Sequence, residues 1–136
     1  MKVDGDVIRE LYENDLGFSE RDRELQIKRI QKFALFLENQ NQIVLVSALY
    51  CNEKLMKWNR ENFNSYFEIY LDASLSVVES RDSKGLYKKF REGKEKNVVG
   101  LDIPWYEPKN PDIKIKIDKS TSINFIVRKI FNVVDL

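Results

Sequence analysis

The sequence predicts an α/β fold, a parallel sheet flanked by helices, on three observations. Ile43-Val44-Leu45-Val46 is an uninterrupted, β-branched apolar run of the kind found in strands buried on both faces. Ile113-Lys114-Ile115-Lys116-Ile117 alternates with period two, as a half-exposed strand does. Segments of helical spacing separate these runs, and strands alternating with helices imply parallel pairing through crossover connections.

In chain order, a strand is expected to end near Asp6. Ser19, followed by Asp22, reads as a helix start, and Ile27, Ile30, Ala34 and Leu37 recur at helical spacing to about Asn39. After the strand at 43–46 comes a helix around Asn52–Arg60 and a second strand at Tyr66–Leu71. Ser74 is placed to cap a helix carrying Leu75 and Val78. Ser83–Arg91 reads as another helix, stopped by Gly93. Residues 94–112 hold all three prolines and read as a long surface loop. The lysines of the 113–117 strand discourage edge pairing. Ile123, Ile126, Val127, Ile130 and Val134 share one face of a closing helix. Trp58, Phe63, Tyr66, Phe67 and Tyr70 are core candidates.

Composition narrows the chemistry. With 136 residues, 43% hydrophobic and 33% charged, the chain is one domain's worth of ordinary globular sequence. Its 23 basic and 22 acidic residues are interspersed, so net charge points to neither nucleic acid nor membrane. No apolar run approaches the ~20 residues of a membrane span. Met1-Lys2-Val3-Asp4 has no secretory apolar region, so a cytoplasmic location is expected. There is no histidine, which removes Ser-His-Asp and Cys-His systems and histidine metal sites. The one cysteine, Cys51, can form neither an intrachain disulfide nor a zinc cluster, and reads as a small buried hydrophobe. Carboxylates, Lys/Arg, hydroxyls and backbone amides remain, a palette that suits phosphoryl transfer.

Three blocks carry a family resemblance. They are Asp4-Gly5-Asp6-Val7-Ile8-Arg9 with Asp15-Leu16-Gly17-Phe18-Ser19 and Asp22-Arg23; Arg81-Asp82-Ser83-Lys84-Gly85-Leu86-Tyr87-Lys88-Lys89; and Gly100-Leu101-Asp102-Ile103-Pro104-Trp105-Tyr106-Glu107-Pro108. In order and spacing they resemble adenylylsulfate (APS) kinases, which have a P-loop kinase-like parallel sheet. The resemblance implies transfer of the ATP γ-phosphate, with Mg2+, to the 3′-hydroxyl of APS. Arg9 and Arg23 match the family's arginines for the phosphosulfate, and Phe18 the aromatic that stacks on adenine. Asp6 matches the carboxylate assigned to the 3′-hydroxyl and to magnesium. Gln26 stands at a substrate-binding asparagine, and Tyr50 at a substrate-contacting serine. Arg81, Lys84 and Lys88 look like a basic lid over ATP phosphates, within a lid region of about 81–108. A homodimer is a further implied partnership.

Each assignment has a structural counterpart. Asp6 can be the N-cap of a helix starting at Val7, and Phe18 a staple or core aromatic. Arg9 and Arg23 can be merely solvated, and Lys84–Arg91 a wet helix face. The sequence also departs from the family. Nowhere does it contain Gly-x-x-x-x-Gly-Lys-Ser/Thr, so the expected fold lacks the first strand–loop–helix unit and the chain reads as N-terminally truncated. Val98 replaces an aromatic expected to close on the adenine opposite Phe18. These departures leave two alternatives open: a non-catalytic nucleotide-binding relative, and a kinase for a different acceptor.

Overall fold

The computed structural model describes residues 1–82 and 84–134, which fall into two compact units. The first comprises Met1–Tyr66 with Asn97–Glu107; the second comprises Phe67–Lys96 with the chain from Pro108 onward.

In the first unit β1 (Lys2–Asp4) and β2 (Leu45–Ser47) pair in parallel, with Val3 opposite Val46. Parallel partners cannot be closed by a hairpin, so two helices connect them, α1 (Gly5–Leu11) and α2 (Glu20–Glu38). Asp4 organises the first junction. Its carboxylate accepts the Asp6 amide at 3.0 Å, capping α1, and the Ser47 hydroxyl at 3.0 Å. Ser19 caps α2 as expected, accepting the Asp22 amide at 3.2 Å. Ile30 and Leu37 of α2 pack with Val3 and Ile8. A helix α3 (Glu53–Asn62) starts at the Asn52 cap and buries Leu55, 2% exposed, against Tyr50, Val99 and Ile103. Ile27 touches both clusters. Gln31 ties α2 to α3 by donating to the Leu55 carbonyl at 2.9 Å and to Asn59 Oδ1 at 2.7 Å.

The expectation that 43–46 is buried on both faces is not met. The strand is Leu45–Ser47, and Ile43, Leu45 and Val46 are 67%, 60% and 41% exposed. The reason is pairing: among the described residues β2 has one strand neighbour, β1, and a two-stranded ribbon leaves much of its surface open.

In the second unit β3 (Ile69–Ala73) and β4 (Ile113–Ile117) form a parallel pair in register from Ile69 opposite Ile113 to Ala73 opposite Ile117. The β3 strand starts later than the predicted Tyr66, because the Glu68 amide donates to the Asp112 carboxylate at 2.7 Å before the ladder opens. The predicted alternation of β4 holds: Ile115 and Ile117 are buried, Lys114 and Lys116 exposed. Val77 of α4 (Leu75–Ser80) and Ile126 and Ile130 of α6 (Ile123–Phe131) pack on that buried face. Ser74 precedes α4, but its hydroxyl pairs with Ser76 instead of capping.

Helix α5 (Leu86–Arg91) starts after Gly85, not at the predicted Ser83, which lies outside the described residues. The Asp82 carboxylate accepts the Leu86 and Lys88 amides, and this selects the later start. Gly93, with φ of 69°, ends α5 as expected. Residues 94–112 form neither helix nor strand apart from an isolated bridge between Val99 and Ile103. Of the aromatic core candidates Tyr70 is buried; Trp58, Phe63 and Tyr66 pack as a half-buried row, and Phe67 is exposed. Cys51 is half-buried. Among the described residues no helix is long and apolar enough to cross a membrane.

Truncating Leu55 to Ala should cost roughly 2–5 kcal/mol in urea unfolding, as cavity formation in a packed cluster does. Leu45→Thr, on the exposed β2, should stay within about 0.5 kcal/mol of the parent in the same measurement.

Candidate functional site

The first block of sequence converges on one exposed ring. Phe18, 52% exposed, lies ahead of the Ser19 cap, with the Arg9 guanidinium carbon 4.5 Å and that of Arg23 5.4 Å from its centroid. Arg9 is held by its own loop, Nη1 donating to the Leu16 and Gly17 carbonyls at 3.0 Å each. Arg23 is held by Nε donating to the Phe18 carbonyl at 2.9 Å and Nη2 to the Asn97 carbonyl at 2.8 Å. Among the described residues neither guanidinium forms a salt bridge. Burial lowers the Arg23 pKa, and the positive charge of Arg9 pulls the same way, against smaller effects of Asp102 and Tyr50. Two like charges beside one aromatic ring repel each other, so an arriving anion would be attracted by both.

The loop carrying Phe18 is fixed from outside the motif. Glu13 and Asn14 are left-handed, with φ of 54° and 53°, and this turn returns Asp15 to α2. There Arg29 grips Asp15 with two bonds of 2.7 and 2.6 Å, and its guanidinium carbon lies 4.2 Å from the Tyr12 ring centroid. The Arg29 bond is the main reason the Asp15 pKa is lowered. At Gly17 a Cβ would come 2.9 Å from Asp22 Oδ2, so a side chain there would displace the carboxylate that accepts from Ser19.

Asp6 is neither at the end of a strand nor an N-cap. The strand ends at Asp4, which takes the capping role, and Asp6 occupies the first turn of α1 with its side chain exposed. Gln26 reaches under the same turn, donating Nε2 to the Gly5 carbonyl at 3.1 Å, while its buried Oε1 has no hydrogen-bond partner. Tyr50 is only 4% exposed and donates to Glu20 Oε1 at 3.1 Å. Burial pushes its phenol up to about 12, so it stays a donor at neutral pH. Val98, at 1%, is the most completely buried hydrophobic side chain among the described residues and offers no face opposite Phe18.

The predicted lid region is divided between the units, 81–96 belonging to the second and 97–107 to the first. In the second unit Arg81 donates Nη2 to the Asp118 carbonyl at 2.9 Å, and Lys84 and Lys88 are exposed. Lys88 lines an open cavity of about 420 Å3 with Glu79, Asp82, Tyr87, Arg91 and Glu92, in which Arg91 pairs with Glu79.

Glu20, Arg29 and Asp102 were not singled out by sequence reasoning. Asp102 accepts the Asn97 amide at 2.7 Å and the Val98 amide at 2.6 Å. Burial pushes its pKa up, but these two amides, its own backbone N–H and the Arg23 charge together leave the carboxyl below its usual value. Glu20 has a local signal, an acid in the first helical turn, and Asp102 stands in the third block and accepts amides four and five residues back. The partners of Glu20 and Arg29 are set by tertiary structure.

Comparison with known proteins places these residues in context. The family described as adenylylsulphate kinase matches residues 1–116. An adenylyl-sulfate kinase of Halothermothrix orenii is 38% identical over 120 residues, covering 88% of this chain and 65% of that protein. One from Rippkaea orientalis is 40% identical over 119 residues, with 88% and 66% covered. The chain thus spans just under two thirds of the length of these two relatives. The structure of Mycobacterium tuberculosis APS kinase in complex with AMPPNP and APS superimposes with a TM-score of 0.88 at 31% identity, covering 99% of this chain and 79% of that one.

A carboxylate whose folded pKa lies below its unfolded value stabilises the fold above that unfolded value and loses the effect as pH falls through the folded pKa. Asp102 should therefore contribute fully above about pH 4 and progressively less below it. The urea midpoint of the parent should drop more steeply than that of Asp102→Asn on acidification from about pH 5 to about pH 2.

Proposed function

The chain belongs to the adenylylsulphate kinase family, and on that premise we propose that its first unit is the acceptor site for adenosine 5′-phosphosulfate. The observation that carries the proposal is the pair of guanidiniums, Arg9 and Arg23, gathered on the exposed Phe18 ring with, among the described residues, no salt bridge to either. A ligand with a flat base and a nearby multiply charged anion satisfies both halves of this arrangement. Adenine would stack on Phe18, and the phosphosulfate would take donors from Arg9 and Arg23.

The reaction assigned to the site is transfer of the ATP γ-phosphoryl group to the 3′-hydroxyl, giving ADP and 3′-phospho-APS. Asp6 is the carboxylate proposed to orient that hydroxyl and take its proton. Among the described residues no group of three or more acidic or thiol ligands could hold a metal. A single exposed carboxylate such as Asp6 nevertheless suits Mg2+, which keeps waters and relies on phosphate oxygens for the rest of its shell. When bound with ATP, magnesium would offset the charge of the phosphates. Arg81, Lys84 and Lys88 are the side chains proposed to contact ATP phosphates. No Gly-x-x-x-x-Gly-Lys-Ser/Thr occurs in this sequence, so the present residues account for the acceptor end more fully than for the ATP end.

A second reading, a nucleotide-binding relative without turnover, is favoured by Val98 and Tyr50. Val98 is buried and the Tyr50 hydroxyl is committed to Glu20, so stacking is confined to one face of the base.

Calorimetric titration of APS into the chain should show binding that weakens on the order of tenfold or more in Arg23→Ala, from loss of charge-assisted hydrogen bonds. Phe18→Ala should cost roughly 1–3 kcal/mol of affinity. Equal affinity in parent and Arg23→Ala would sink the acceptor-site assignment. ADP release from MgATP that depends on APS would select the kinase over the silent binder.

A further inference from the structure

Arg23 owes part of its position to a segment outside its own helix. Its Nη2 donates to the carbonyl of Asn97, a left-handed residue with φ of 62° that opens the 97–107 segment. The other end of that segment is gripped by Glu20 and Tyr106, which no ligand-binding assignment uses, together with Tyr50, whose hydroxyl is committed to Glu20. Glu20 Oε1 accepts the Tyr50 hydroxyl at 3.1 Å and the Tyr106 hydroxyl at 2.8 Å, and the two rings meet edge to face at 6.3 Å. Between the two grips Val99 and Ile103 are buried against Tyr50 and Leu55. Glu20 and Arg23 lie one turn apart on α2, so one helical face holds both ends of the segment.

We propose that Glu20, Tyr50 and Tyr106 are positioning residues for the Arg9–Phe18–Arg23 site, a clasp that holds residues 97–107 against α2 and so fixes Arg23 for its ligand. The ligand half of this inference rests on the acceptor-site reading; the clasp is a property of the free chain. Because both phenols donate to the same oxygen, either can hold the carboxylate when the other is gone. Their removal should therefore be more than additive.

Hydrogen exchange of the intact 136-residue chain tests this on Tyr50→Phe, Tyr106→Phe and the double variant, all of which keep the rings. Exchange across 97–107 without ligand should rise by less than about threefold in each single variant and on the order of tenfold in the double. Tyr66→Phe, which removes a hydroxyl bonded to Asn59 in the same unit, is the control and should change nothing there. In stopped-flow binding the double variant should release APS faster by a similar factor, with little change in association rate. Unchanged exchange in the double variant overturns the clasp. Faster exchange with an unchanged APS off-rate overturns the positioning role, because the cluster is then merely structural. A parent chain that takes up no APS counts against the acceptor-site reading instead, and the exchange measurement still decides the clasp.

Discussion

Parallel pairing is the constraint from which the rest of this chain follows. A parallel strand must be reached by a crossover, and β1 is reconnected to β2 only after α1 and α2 have been built. The crossover has to leave β1 sharply, and Asp4 enables that by capping α1 while also bonding Ser47 of the partner strand. It also has to travel far enough to return, and the loop between the two helices supplies the slack. That loop carries Leu16, Gly17 and Phe18, the residues around which the two arginines gather. The proposed acceptor surface is thus a by-product of how a parallel strand pair must be wired.

Within that loop, geometry is fixed by charge as much as by packing. Arg9 is nearly buried, and its guanidinium is tolerated because two backbone carbonyls accept from it. Arg29 grips Asp15 from the opposite side of the turn, bidentately, where lysine would offer a single point of attachment. Both arginines act on backbone or carboxylate groups of the loop itself. Phe18 stays exposed although it is a large apolar ring, as the proposed stacking on adenine would require.

The sequence was most readable where a single periodicity decided the outcome. The α2 helix from the Ser19 cap to Asn39 and the alternating β4 strand agree with expectation, because each has one buried face and unambiguous end signals. It misled where burial depends on neighbours: Ile43–Val46 looks like an interior strand, yet no local pattern reveals how many strands flank it. Start points were legible only to within a few residues. Asp82 and Asp112 took backbone amides that simple propensity assigns to the next element. Arg9, Phe18 and Arg23 were visible as motif residues and meet in space. Arg29 and Glu20 were not, because their meaning lies in partners that only tertiary structure supplies. Asp102 stood in a motif block, but its role in its loop was not visible there.

The interleaving of the two units bears on the order in which the chain can become stable. Unit one has its strands and helices in place by Tyr66, but Val98, Val99 and Ile103, which fill its interior, arrive only after the chain has detoured through Lys96. Unit two has the mirror problem, since β3 waits through the 97–107 segment for β4. A chain emerging from the ribosome therefore holds two unfinished cores at once. Neither closes before Ile103, and the second not before Ile117. Such a topology trades stepwise, domain-by-domain folding for late closure of long-range contacts, and leaves apolar side chains of each unit uncovered until its closing segment arrives.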